Sequence, residues 1–102
     1  MASIALPARL TCDEASAELG RLQAAMAAEP ADQAVRLDAS ALSQFDSSAV
    51  ALLLDLQRQA QQRSQAFTIV AAPQRLSDLA RVYGVLGLLK LEAQAPAAAR
   101  NN

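Results

Sequence analysis

Apolar residues along this chain fall by turns into the spacing of a strand and the spacing of a helix. That alternation constrains the fold more than any single motif does. The clearest strand is Ala66–Ala71 (AFTIVA), β-branched and aromatic, bounded by polar residues. Before it, Ala49, Leu52, Leu53, Leu56 and Ala60 define one face of a helix running from Ala49 to about Gln62. Val50 and Leu54 add a second apolar flank, and the cluster Asp46-Ser47-Ser48 supplies the N-cap. After the strand, Pro73 opens another helix, in which Leu76, Leu79, Ala80 and Tyr83 recur at i, i+3, i+4 and i+7. Gly84 stands where a left-handed C-cap belongs.

The same alternation extends to both ends. Ile4–Leu10 reads as one edge strand kinked at Pro7. Thr11 then caps a first helix, with Glu14 as the return half of a capping box. Ala15, Leu19, Leu22 and Met26 form its narrow stripe, which runs out near Glu29-Pro30. Gly20 weakens this helix by about 1 kcal/mol relative to Ala, a cost that close packing there would explain. Pro30–Gln33 is a polar connector, Ala34–Asp38 a short strand with Val35 and Leu37 on one face, and Ala39–Phe45 a loop. Val85–Leu91 ends as a last strand. Strand–helix alternation with crossovers of a dozen residues or more predicts an α/β fold: about four strands in a mixed or parallel sheet, with three main helices. Residues 1–92 form this one small domain, and 93–102 read as a flexible C-terminal tail.

Composition removes most functional classes. Although 53% of the residues are hydrophobic, 25 are Ala, so Leu and Val carry the core. Nine basic residues against ten acidic ones give a net charge of −1, without the basic excess of a nucleic-acid binder. There is no His and only one Cys, so a zinc site, a disulfide framework and His-based catalysis are excluded by inventory. Three glycines make neither a P-loop nor a dinucleotide fingerprint. The longest apolar run, Ala49–Leu54, is far short of the roughly 20 residues that span a bilayer, and the N-terminus has no signal-peptide pattern. The expectation is an intracellular, non-enzymatic domain without cofactor or metal and without direct membrane insertion.

A few side chains remain as candidates. Asp38 and Asp46 stand at or after the end of one strand, where α/β proteins place ligands, and two carboxylates suffice for Mg²⁺ in a small phosphotransfer enzyme. Against this, Lys90 is the only Lys and lies far along the chain, and capping and loop hydrogen bonds account for both acids. Cys12, beside a helix start, reads as a small buried residue. The arginines are scattered. Arg58 and Arg63 are expected on the exposed end of the second helix, with Arg75 and Arg81 flanking the third. Tyr83 lies on an apolar stripe and suits either the core or an interface anchor.

The segment from Leu37 to Leu54 carries more than capping requires. It reads L-D-x-S, five residues on D-S-S-A, then an apolar helix, and so places two hydroxyls beside an acid at a helix head. This pattern resembles the signature of the STAS domain (sulfate transporter and anti-sigma factor antagonist). Leu6–Thr11 and Leu79–Val85 extend the resemblance to the short MlaB-like proteins of the Mla phospholipid-transport system. The resemblance implies a protein that binds and regulates or stabilises the ATPase subunit of an ABC transporter, cytoplasmic and peripheral to the inner membrane. Ser47 and Tyr83 would lie in that contact, beside Asp46 and Ser48. It also implies an alternative, an anti-sigma factor antagonist that binds an anti-sigma factor kinase and is switched by phosphorylation of Ser47. Two departures favour the transporter reading. Ala49 replaces the usual Gly, and the segment before the first helix is too short for the two strands of the antagonist group.

Overall fold

The computed structural model describes residues 2–85, 87–89 and 91–93. In chain order these build β1 (Ala2–Ala5), β2 (Arg9–Leu10), α1 (Ala15–Ala27), β3 (Val35–Asp38), β4 (Gln44–Phe45), α2 (Ser47–Gln62), β5 (Phe67–Ala72), α3 (Gln74–Val82) and β6 (Leu91–Ala93). A four-stranded sheet runs β1-β3-β5-β6 with every neighbouring pair parallel. The α/β domain with three main helices is as expected, and its sheet is parallel.

Strand order increases in one direction across this sheet, so right-handed crossovers place all three helices over the same face. Burial follows that geometry. The register aligns Ile4 with Leu37 and Leu37 with Ile69, and Val35 with Phe67. Leu22, Met26, Leu53, Leu56 and Leu76 close the core over this row. Each such Leu contributes about 1.5–3 kcal/mol relative to remaining in water. On the opposite face Arg36 is exposed, while Thr68 and Val70 are half-buried. The α2 stripe read from the sequence, Ala49, Leu52, Leu53, Leu56 and Ala60, is buried throughout.

Several local readings are corrected. Ile4–Leu10 is not one kinked strand. β1 is the sheet edge, Pro7 cannot donate to a ladder, and β2 pairs instead with β4 in a separate two-stranded parallel sheet. Two short strands therefore precede α1, and the second departure noted above does not exist. Ala39–Phe45 likewise holds β4 rather than loop alone. Gly20 has open space where a Cβ would stand, so close packing does not explain it. Ala93 closes β6, and the rest of the expected tail, like Lys90, lies outside the described residues.

Helix ends follow from backbone needs. Both Thr11 N–H and its hydroxyl donate to Glu14 (2.9 and 2.7 Å), so the return half of the capping box forms while residues 12–14 make a turn and α1 starts at Ala15. At the end of α3, Gly84 adopts φ +73° and donates to Arg81, while Val85 N–H reaches Ala80, a Schellman closure. At the end of α2, Ser64 takes the glycine's place with φ +54°, and Gln65 N–H reaches Ala60.

Arg63 departs furthest from expectation. It does not sit on a solvated face. Its guanidinium donates to the carbonyls of Met26 (2.8 Å) and Glu29 (2.7 Å) at the end of α1, and to Gln65 Oε1 (3.3 Å). It fastens the carbonyl end of α1 to the end of α2, supplying donors where a helix C-terminus is short of them.

Candidate functional site

The start of α2 is organised by Asp46. Its backbone is extended (φ −135°, ψ −163°), as an N-cap requires, and Oδ1 accepts from Ser48 N–H at 2.9 Å. Its second oxygen accepts from Cys12 N–H at 3.2 Å, tying the turn before α1 to the head of α2. The pattern of the sequence shows the cap but not this second bond, which joins residues 34 positions apart. Cys12 is itself exposed, not buried; its backbone N–H makes the long-range bond, and its thiol reaches only the neighbouring Asp13 carboxylate.

With Asp46 as the cap, Ser47 is released from structural duty. It is exposed, and its hydroxyl has no hydrogen-bond partner among the described residues. Ser48 is half-buried and contributes its backbone N–H to the cap.

Tyr83 is brought to the same place from α3. Its i+7 position suggested the apolar stripe, yet it is the C-cap residue, with φ −84° and ψ 0°, and there the chain leaves helical geometry. Tyr83 is 55% exposed, next to Val82 at 79%. Ser47 and Tyr83 both line two adjoining grooves between α2 and α3. One, of about 460 Å³, adds Phe45, Asp46, Arg75, Asp78, Leu79 and Val82; the other, of about 360 Å³, adds Val50, Ala51, Leu54 and Val85. The first groove has a built wall. Arg75 lies over the Phe45 ring at 4.8 Å from its centroid and donates to the Ser43 carbonyl at 3.3 Å. Arg75 is therefore more than a flanking charge. Its role depends on β4, which periodicity does not reveal.

Asp38 is not gathered into this site. Its carboxylate accepts from Ser40 N–H at 2.9 Å, so Asp38 and Asp46 serve different backbone donors. Among the described residues no three His, Cys, Asp or Glu side chains converge as a metal site would need.

Three carboxyls are held below the ordinary range by these bonds. For Asp46 the chief cause is Ser48 N–H, aided by Cys12 N–H and opposed by partial desolvation and, less, by nearby Glu14. For Glu14 it is the Thr11 hydroxyl and then Thr11 N–H; for Asp38 it is Ser40 N–H. A lowered folded-state pKa gives stability that is complete above the unfolded value and lost as pH falls through the folded one. Thermal stability is therefore expected to hold down to about pH 5 and to decline below about pH 4. Asp46→Asn keeps a capping oxygen without the charge. It should flatten part of that decline in melting curves taken from pH 7 to pH 2.5. An unchanged acid slope would contradict the assignment.

A small parallel sheet covered on one face, with a capped Asp-Ser-Ser start to the helix that joins its two inner strands, has the layout of a STAS domain. The family model described as Mlab, STAS domain matches residues 2–91, and the chain belongs to that family. No curated protein gives a significant match. STAS domains are generally non-catalytic interaction modules. No helix among the described residues is long and apolar enough to cross a membrane.

Proposed function

We propose that the chain docks through the Ser47–Tyr83 surface onto the ATPase subunit of an Mla-type ABC phospholipid transporter, which it stabilises or regulates. In this role it works at the cytoplasmic face, peripheral to the inner membrane. The observation that carries the reading is the pairing of Ser47, whose hydroxyl has no partner among the described residues, with an exposed aromatic, Tyr83, across two shared grooves. A rigid ring with a polar tip is a common interface anchor, and a helix head presents unpaired N–H groups to a partner. Membership of the family described as Mlab, STAS domain supports a protein-interaction role.

The accessible Ser47 hydroxyl also favours a second reading, an antagonist of an anti-sigma factor kinase switched by phosphate at Ser47. Co-expression with each partner class decides between them. The ATPase subunit is expected to co-purify with the wild-type chain. Tyr83→Ala should weaken that binding at least about tenfold, in the range of an interface anchor, without lowering the melting temperature. Capture of the kinase and not the ATPase would overturn the proposal, and so would full binding by a folded Tyr83→Ala chain.

A further inference from the structure

β1 is the outer strand of the four-stranded sheet and pairs only with β3 among the described residues. Ile4 is in register with Leu37, and Leu6 N–H donates to the Asp38 carbonyl at 2.9 Å. In a parallel ladder alternate residues bond the same neighbour, so Ile4 and Leu6 turn their backbone groups toward β3. Ser3 and Ala5 turn theirs outward. Both residues are exposed, and Ala2–Ala5 carries neither charge nor Pro. The strand itself therefore lacks the Lys or Pro that commonly keeps a second strand from an edge.

One outward group is nevertheless taken. Arg21, on α1, reaches the edge and donates from Nη2 to the Ala5 carbonyl at 3.3 Å. Glu18 holds the same guanidinium, 2.8 Å from Nε and 2.7 Å from Nη2. An exposed ion pair of this kind adds little to stability, so its position tells more than its strength.

The occupant that this edge fits is a second copy of the chain. Two β1 strands related by a twofold axis run antiparallel, and centring them on Ile4 sets Ser3 opposite Ala5 of the other copy. Each of these pairs exchanges two N–H to C=O bonds, four in all, and an uncharged strand meets no repulsion from itself. Two of the four bonds need an Ala5 carbonyl as acceptor, the group that Arg21 holds in each copy. We propose that β1 is a self-pairing edge and that Arg21, steadied by Glu18, keeps it closed. The guanidinium takes the acceptor and crowds the space that the incoming strand must enter.

Sedimentation equilibrium of the full chain tests this without any other protein. Arg21→Ala should dimerise at least about tenfold more tightly than the wild type, because two acceptors are released. Amide exchange locates the contact: Ser3 and Ala5 N–H should exchange slowly in that dimer and fast in the wild type. Adding Ser3→Pro removes one outward N–H without touching the β3 ladder, and should return the Arg21→Ala chain to a monomer. Ser3→Lys, which charges the edge at an exposed position, should do the same where the proline disturbs β1. An Arg21→Ala chain that associates no more tightly than the wild type overturns the proposal. So does a dimer whose Ser3 and Ala5 amides still exchange fast, or one that survives both added substitutions, since its contact then lies elsewhere.

Discussion

A Ser47→Glu chain is expected to melt within about 5 °C of the wild type and to bind the ATPase subunit at least about a hundredfold more weakly. The two effects separate because they arise in different places. In the free chain the added carboxylate sits in water at a helix N-terminus, where a negative charge is favourable by about 0.3–1 kcal/mol, with Asp46 beside it offsetting part of the gain. The cap itself is untouched, since Asp46 and Ser48 make it. In a complex the same charge must leave water against a surface fitted to a neutral hydroxyl, a cost of several kcal/mol when no counter-charge waits there. Ser47→Ala then distinguishes the two partner classes. A transporter partner that uses the hydroxyl as a contact binds Ser47→Ala more weakly, whereas an anti-sigma partner keeps binding and loses only its release. If both variants bind as the wild type does, Ser47 is a bystander and the site assignment fails.

What could be read from the sequence divides along physical lines. Elements longer than one period were legible: β5 lies one residue from the expected Ala66–Ala71, and every residue of the main α2 stripe is buried. A stripe of five apolar side chains has only one orientation that buries it. β2 and β4 escaped because two residues carry no period, and with them went the placement of Arg75 over Phe45. A cap within Asp46-Ser47-Ser48 is local and was visible, though not which residue makes it; the Asp46 bond to Cys12 N–H is long-range and was not. Tyr83 shows where periodicity stops being informative. A spacing of seven predicts a shared face only while the helix continues, and α3 ends at Val82. Ser47 and Tyr83 were singled out by resemblance to STAS proteins. The structure adds that both line the same grooves, with the Ser47 hydroxyl unbonded among the described residues.

Arg63 carries the largest expected effect on stability. Read as a surface charge, its removal would change stability by no more than about 0.5 kcal/mol. Its three bonds argue otherwise. Two go to carbonyls at the end of α1, at 2.8 and 2.7 Å, and the third holds Gln65 in the orientation that reaches Pro30 and Gln33. Hydrogen bonds from a charged donor contribute about 1.5–3 kcal/mol each when buried. Arg63 is only half-buried, so water replaces part of that in the variant. Arg63→Ala is therefore expected to cost about 2–4 kcal/mol, a fall of roughly 10 °C or more in melting temperature, measured by urea unfolding and calorimetry. Arg63→Lys should recover less than half, because one ammonium cannot reproduce a planar fork between two carbonyls. A loss below about 0.5 kcal/mol in the alanine variant would return Arg63 to the surface. The position also serves as a control for the functional proposal. Arg63 follows the last residue of α2 and Ser47 is its first, about 24 Å away at 1.5 Å per residue. At a temperature where Arg63→Ala remains folded, its affinity for the ATPase subunit should equal that of the wild type, while Ser47→Glu at the same temperature should not bind. A matching loss in both would mean that binding responds to general stability, and that the start of α2 holds no dedicated contact.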